Sequence, residues 1–133
     1  MVASLDTNVL VRLIVRDDDQ QTQVALKLLQ GEAKKSESLF VPVTVSLELE
    51  WVLRSRYKFT KAEIILTLSS LLTTSELVFE SEGALEQALA SYENGGADYA
   101  DCLHLALASR QTALPFLTFD ANAAKEVGAK MLK

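Results

Sequence analysis

Short apolar runs alternate with helical segments along almost the whole chain. Four runs carry strand signals, at residues 2–5, 39–42, 76–80 and 116–119. Segments in which apolar side chains recur with helical spacing follow each of them. Strands separated by helices predict a parallel sheet covered by helices on both faces. We therefore expect an α/β fold with three layers, α/β/α, and a small central parallel sheet.

The length and composition fit one folded domain. The chain has 133 residues, of which 49% are hydrophobic, and it contains no repeat, linker or low-complexity segment. We expect a single domain over residues 1–133. The net charge of −5 argues against a general nucleic-acid binder. Carboxylates that bind a metal also lower the net charge, so the acidic balance does not exclude a nucleic-acid substrate.

Several classes of protein are disfavoured by single features. The lone Cys102 excludes an intrachain disulfide and a cysteine-rich zinc site. The first residues have no basic start and include Asp6, which is not typical of a secretory signal. No apolar run approaches the roughly 20 residues that span a bilayer. We expect a cytoplasmic protein without a membrane partner.

Local signals also predict where individual helices begin and end. Thr60 and Glu63 have the spacing of a capping box. Gly31 is expected to end the second helix, and Thr44 to cap the third. A helix that begins at Asp98 is apolar on nearly every side and is expected to be buried.

Four acidic residues stand in four separate elements: Asp6, Glu48, Asp101 and Asp120. Asp6 and Asp120 each directly follow a predicted strand, and ligands of open α/β sheets bind beyond the carboxyl ends of the strands. Each acid alone has a structural explanation as a helix cap, a turn or a surface charge. Together they indicate a divalent-cation site, and metal-assisted phosphodiester hydrolysis is the leading hypothesis.

Helical geometry separates the two glutamates of the third helix. Glu48 lies one turn from Val45 and Val52, at the margin of the apolar stripe. Glu50 points to the other side, four residues before Arg54, where a surface ion pair explains it. Glu48 is therefore the candidate ligand, and Glu50 is expected to be solvated.

The remaining polar residues leave alternatives open. Asp98 is either a helix cap or an accessory to the site, and Asp101 is favoured as a site residue because its helix is expected to be buried. His104 is expected to be a core histidine rather than a ligand. A single histidine excludes a two-histidine ribonuclease mechanism, and no glycine-rich phosphate loop is present.

Four segments resemble the acidic motifs of the PIN-domain ribonucleases, in the same order. The first is Leu5-Asp6-Thr7-Asn8-Val9-Leu10, and the others span residues 43–53, 97–106 and 117–120. These segments cover almost the whole chain. The chain is most similar to the toxin component of VapBC-type toxin–antitoxin modules.

The resemblance implies an endoribonuclease that depends on Mg²⁺ or Mn²⁺, acts on RNA, forms a homodimer and is silenced by a cognate VapB-like antitoxin. It places Asp6, Glu48, Asp101 and Asp120 at the catalytic, metal-binding positions. Asn8, Asp98 and Thr118 match the accessory polar positions. His104 stands where the family often has an aliphatic residue.

Two other functions are considered. A PIN-like binding module without catalysis, acting through a protein partner, is the main alternative, although the full acidic set argues against it. A phosphoacceptor receiver domain is disfavoured because only one acid follows the first strand. The basic residues expected nearest to an RNA groove are Arg12, Arg16, Arg54, Arg56, Lys58 and Lys61.

Overall fold

Two sets of parallel strands organise the chain. The computed structural model describes all residues, Met1–Lys133, and divides into two units, Met1–Glu80 and Ser81–Lys133. The N-terminal unit contains β1 (Ala3–Ser4), α1 (Thr7–Val15), α2 (Asp19–Lys34), β2 (Leu39–Val41), α3 (Val43–Ser55), α4 (Lys61–Leu72) and β3 (Leu77–Phe79). The C-terminal unit contains α5 (Glu82–Asn94), α6 (Tyr99–Arg110), β4 (Phe116–Thr118), α7 (Ala121–Ala124) and β5 (Ala129–Met131).

The sheet of the N-terminal unit has three parallel strands in the order β1-β2-β3. Leu39 of the central strand pairs with Ala3 on one side and with Leu77 on the other. Leu39 and Val41 are fully buried, as expected for a strand that is covered on both faces. The predicted α/β class with parallel strands is confirmed for this unit.

The helices of the N-terminal unit bury the apolar faces that the sequence predicts. Helix α1 packs against α2 and α3, and α3 packs against α4. Leu10 of α1, Leu49 and Leu53 of α3, and Ile64 of α4 have no exposed surface. Fully burying such a side chain contributes about 1.5–3 kcal/mol, so these four leucine and isoleucine side chains fix how α1, α3 and α4 pack.

The capping box at Thr60 is confirmed. The Thr60 hydroxyl accepts a hydrogen bond from the Glu63 amide at 3.2 Å, and the Thr60 amide donates to the Glu63 carboxylate at 2.9 Å. The hydrogen bond from the Thr60 amide and the contact with the Thr60 hydroxyl both favour the charged carboxylate, and they lower the pKa of Glu63.

Two predicted helix boundaries are wrong. Helix α2 continues through Gly31 to Lys34, because Gly31 adopts ordinary helical geometry and its neighbours continue the helix. The N-cap of α3 is Pro42 rather than Thr44, and it makes no side-chain cap hydrogen bond. Proline suits this place because its fixed φ matches the extended backbone there and it has no amide that needs a partner.

The C-terminal unit is built on α5 packed against α6. The body of α6 is buried at Cys102, Leu103, Leu105 and Ala106, as predicted from its apolar character. The rings of Tyr92 and Tyr99 meet edge to face with centroids 5.8 Å apart.

The C-terminal unit ends in a second, two-stranded parallel sheet. In it β4 pairs with β5, with Phe116 opposite Ala129 and Thr118 opposite Met131. The sequence analysis did not predict β5, because its three residues carry no β-branched side chain or alternating pattern. None of the helices has the length and apolar character needed to cross a membrane.

Candidate functional site

Asp6 caps the first helix with one of its two carboxylate oxygens. Strand β1 ends at Ser4, and Asp6 is the N-cap of α1 in extended backbone geometry. Its Oδ1 accepts hydrogen bonds from the amides of Asn8 at 3.0 Å and Val9 at 3.3 Å. The side chain is exposed, so Oδ2 remains free for another ligand. The capping and ligand explanations of Asp6 are therefore compatible.

Glu48 is held by a threonine from another helix. Thr7, the first residue of α1, is 5% exposed, and its Oγ1 donates a hydrogen bond to Oε1 of Glu48 on α3. Glu48 itself is exposed. Thr7 and Glu48 lie 41 residues apart in sequence, so this contact depends on the packing of α1 against α3. In the sequence, Thr7 is distinguished only by its position between Asp6 and Asn8, which does not predict its contact with Glu48.

An open groove begins beside Asp6. It has a volume of about 920 Å³ and lies along α1 and α2. Asp6, Asn8 and Arg12 line it together with apolar side chains such as Val24 and Leu28. Asn8 is exposed and lines the same groove as Asp6, and its accessory role stays a prediction.

Arg12 does not present a free positive charge in this groove. Its guanidinium is 2.8 Å from Asp17 and donates to Gln21 at 2.6 Å. The hydroxyl of Tyr57 donates to Asp17 at 3.0 Å and accepts from Arg12 at 3.4 Å. The bond to Tyr57, with the charge of Asp17, raises the pKa of Arg12. The network ties α1 to the start of α2 and to the chain after α3.

The prediction that Glu50 is solvated is wrong. Glu50 is only 3% exposed, whereas Glu48 is exposed. The predicted ion pair is present, with Arg54 Nε 2.8 Å from Glu50 Oε2. Glu50 is buried because its side of α3 packs into the unit, and Arg54 reaches it from a half-exposed position.

Three carboxylates influence one another within the C-terminal unit. Asp101 is half-buried on α6, and its pKa is raised by burial first and then by the negative charges of Asp120 and Asp98. His104, one turn along α6, lowers the pKa of Asp101. Asp101 forms no salt bridge in this structure. A carboxylate in this setting is stabilised by a bound cation.

Asp120 resembles Asp6 in its local geometry. It is the N-cap of α7, and its Oδ1 accepts from the amides of Asn122 and Ala123, both at 2.9 Å. The Asp120 amide donates to Oγ1 of Thr118 at 3.0 Å, so Thr118 fixes the turn that carries Asp120. Oδ2 of Asp120 makes no hydrogen bond and remains free for a ligand.

Asp98 and His104 differ from simple expectation. Asp98 is the N-cap residue of α6, but its exposed side chain makes no cap hydrogen bond, so the capping explanation does not account for the carboxylate. His104 is exposed rather than part of the core, with its ring 6.4 Å from that of Phe116. It is exposed because it lies on the side of α6 that carries Asp101, one turn away.

The four predicted acidic residues have the kind of ligand atoms that bind a hard divalent cation. All the donors are carboxylate oxygens, which Mg²⁺ and Mn²⁺ prefer, and Asp101 is influenced by the negative charges of Asp120 and Asp98. No group of three or more histidine, cysteine, aspartate or glutamate side chains is already arranged to hold an ion. The structure brings Thr7 to Glu48 in one unit, and Asp98 and Asp120 near Asp101 in the other. The shared site for all four predicted acids remains a prediction.

Comparison with known proteins gives two matches. A family model described as the PIN domain matches residues 3–130, which is almost the whole chain. A VapC ribonuclease of Aquifex aeolicus (strain VF5) is 25% identical over 99 residues, covering 74% of this chain and 73% of that protein.

Proposed function

The chain belongs to the PIN domain family, and from this membership we propose that it is a metal-dependent endoribonuclease acting as the toxin of a toxin–antitoxin module. The fold of that family has three layers, α/β/α, as expected from the sequence. One observation carries the proposal furthest. The half-buried carboxylate of Asp101 is influenced by the negative charges of Asp120 and Asp98, and it forms no salt bridge.

PIN domains generally use divalent metal ions, and we propose Mg²⁺ or Mn²⁺ for this chain. The proposed ligands are Asp6, Glu48, Asp101 and Asp120. When bound, the ion supplies a more acidic water and positive charge for phosphodiester hydrolysis. Asp6 and Asp120 each use one oxygen to cap a helix, which orients the second oxygen before any ligand binds.

The accessory residues have separate roles in the proposal. Thr118 holds the turn before Asp120. Asn8 lines the groove beside Asp6, and we propose that its side-chain amide contacts the RNA backbone. Asp98 adds negative charge beside Asp101, which strengthens the attraction for a cation.

The partners proposed here are RNA, a VapB-like antitoxin and a second copy of this chain. The related protein bears the name VapC ribonuclease, and this name supports both RNA and the antitoxin as partners. We also propose that residues 1–133 form one domain, which the family match across both units supports. A cytoplasmic location stays a prediction.

The test is cleavage of total cellular RNA by the purified protein with Mg²⁺ or Mn²⁺, then with EDTA. We expect discrete fragments that disappear with EDTA and with Asp6→Ala. Fragments with 5′-phosphate ends would identify hydrolysis by water. Intact RNA with a folded, antitoxin-free protein that also binds no metal would instead favour the binding module without catalysis.

A further inference from the structure

We propose that Thr7 is a positioning residue that presents Glu48 to the metal ion. This inference rests on the proposed function, because it takes Glu48 as a ligand. The observation behind it is the hydrogen bond from Thr7 Oγ1 to Glu48 Oε1 between α1 and α3. No motif assigns this role to Thr7, and the contact becomes visible only when the helices are packed.

The hydroxyl of Thr7 is committed to this one carboxylate. Thr7 is 5% exposed, and a buried hydroxyl without a partner costs about 1–3 kcal/mol. A threonine within a helix commonly donates to the carbonyl four residues earlier. Thr7 is the first residue of α1, and the residue four positions earlier lies in β1, so there is no carbonyl of a preceding helical turn to accept this bond. The hydroxyl donates across to α3 instead.

The same bond restricts an otherwise mobile side chain. Glu48 is exposed, and a free glutamate samples many rotamers, whose loss on binding costs free energy. Because Thr7 holds Oε1, the carboxylate is oriented before an ion arrives, and Oε2 stays available. Partners of this kind around a metal ligand typically change metal affinity or activity by about 10–100-fold when removed.

The contact also couples two of the proposed ligands. Thr7 directly follows Asp6, whose carboxylate is fixed to the first amides of α1. A single turn of chain therefore carries one ligand and holds the second. Replacement of Thr7 should weaken metal binding through Glu48 while leaving the cap at Asp6 in place.

The test measures Mn²⁺ dissociation constants by electron paramagnetic resonance on the full chain. Thr7→Val keeps the shape and removes the hydroxyl, and Thr7→Ser keeps the hydroxyl. Thr22→Val is the matched control, because Thr22 is also 5% exposed and in the same unit, but donates to the Arg12 carbonyl at 3.3 Å. We expect Thr7→Val to weaken Mn²⁺ binding by about 10–100-fold, with Thr7→Ser and Thr22→Val within about threefold of the wild type.

A double variant separates positioning from general damage. In a Glu48→Gln background, Thr7→Val should add no further loss of Mn²⁺ affinity, because its effect acts through the Glu48 carboxylate. An equal loss in both backgrounds would overturn the inference, as would wild-type affinity in Thr7→Val. A wild-type protein that binds no Mn²⁺ would overturn it too. RNA cleavage by the same samples is scored separately, so a metal-binding protein that leaves RNA intact rejects only the ribonuclease proposal.

Discussion

Glu48 and Glu50 are two residues apart on α3, and one is exposed while the other is 3% exposed and paired with Arg54. The exposed carboxylate is held by a neutral hydroxyl and keeps an oxygen free for a ligand. The buried carboxylate is already compensated by a guanidinium at 2.8 Å. The two glutamates therefore differ in structural role: Glu50 forms a buried ion pair, and Glu48 keeps the free oxygen that the proposed site requires.

Loss of Arg54 should destabilise the protein, whereas neutralising Glu48 should not. Arg54→Met leaves a buried carboxylate uncompensated. We expect a loss of about 2–3 kcal/mol in the free energy of unfolding, less than the roughly 3–5 kcal/mol for fully buried pairs because Arg54 is half-exposed. Urea denaturation of Arg54→Met and Glu48→Gln measures the difference. Restoration of stability in Glu50→Leu/Arg54→Met would confirm the cause, and a double variant no more stable than Arg54→Met would contradict it.

Asp101→Asn should stabilise the metal-free protein, increasingly as pH rises. The raised pKa of Asp101 means that the folded state holds this proton more tightly than the unfolded state does. The resulting stability is complete below the ordinary value of 3.8 and is lost as pH rises through the folded pKa. Asparagine has no charge to repel Asp120 and Asp98, so it avoids this loss.

Thermal unfolding in EDTA between pH 3.5 and about 7 checks this expectation for Asp101→Asn. The advantage of Asp101→Asn over the wild type should grow across that interval. Glu86→Gln serves as the control, because Glu86 lies exposed on α5. A pH-independent difference, or a less stable Asp101→Asn at neutral pH, would show that Asp101 is not repelled in the folded state.

Thr60→Ala should lower stability by about 1 kcal/mol, the usual cost of losing a side-chain N-cap. The Thr60 hydroxyl accepts the Glu63 amide, and alanine leaves that amide without its partner. Chemical denaturation of Thr60→Ala beside Thr60→Ser isolates the hydroxyl. Serine should retain most of the wild-type stability, and equal losses in both variants would contradict the capping explanation.

Two glycines should respond to alanine in opposite directions. Gly31 lies within α2 with no atom within 4 Å of an added Cβ, so Gly31→Ala should stabilise by about 0.5–1 kcal/mol. Gly128 has φ +93°, and an added Cβ would lie 3.3 Å from the Leu114 side chain. Gly128→Ala should therefore destabilise by about 1–2 kcal/mol. Unfolding midpoints of the two variants test both predictions. Destabilisation by Gly31→Ala would contradict the assignment of α2 through Gly31, and stabilisation by Gly128→Ala would contradict the strain expected at Gly128.

Local signals in the sequence predicted most of the fold. The capping box at Thr60 involves residues three apart, so its atoms meet whenever the helix forms. The alternation of strands and helices likewise gave the α/β class. Gly31 was misjudged because glycine only lowers helix propensity, and the helical residues around it continue α2. Strand β5 was missed because it depends on pairing with β4 rather than on its own sequence.

The candidate site was harder to predict where it depends on packing. The helical pattern of α3 predicts that the side carrying Glu50 is solvated, but neighbouring elements bury this side. The apolar neighbours of His104 in the sequence predict a core position, yet His104 lies on the exposed side of α6. The partner of Thr7 is 41 residues away, beyond any local pattern.

The proposed metal-dependent cleavage of RNA requires carboxylates from each of the two units. The most direct measurement is the cleavage rate of one defined RNA against Mn²⁺ concentration for the wild type, Glu48→Gln and Asp101→Asn. Glu86→Gln, which removes one exposed negative charge on α5, is the control. We predict that each carboxylate variant loses at least about 100-fold in rate, more than the loss of a residue that only hydrogen-bonds a metal ligand usually causes, while the control keeps the wild-type rate. Wild-type cleavage and metal dependence in either Glu48→Gln or Asp101→Asn would contradict the account.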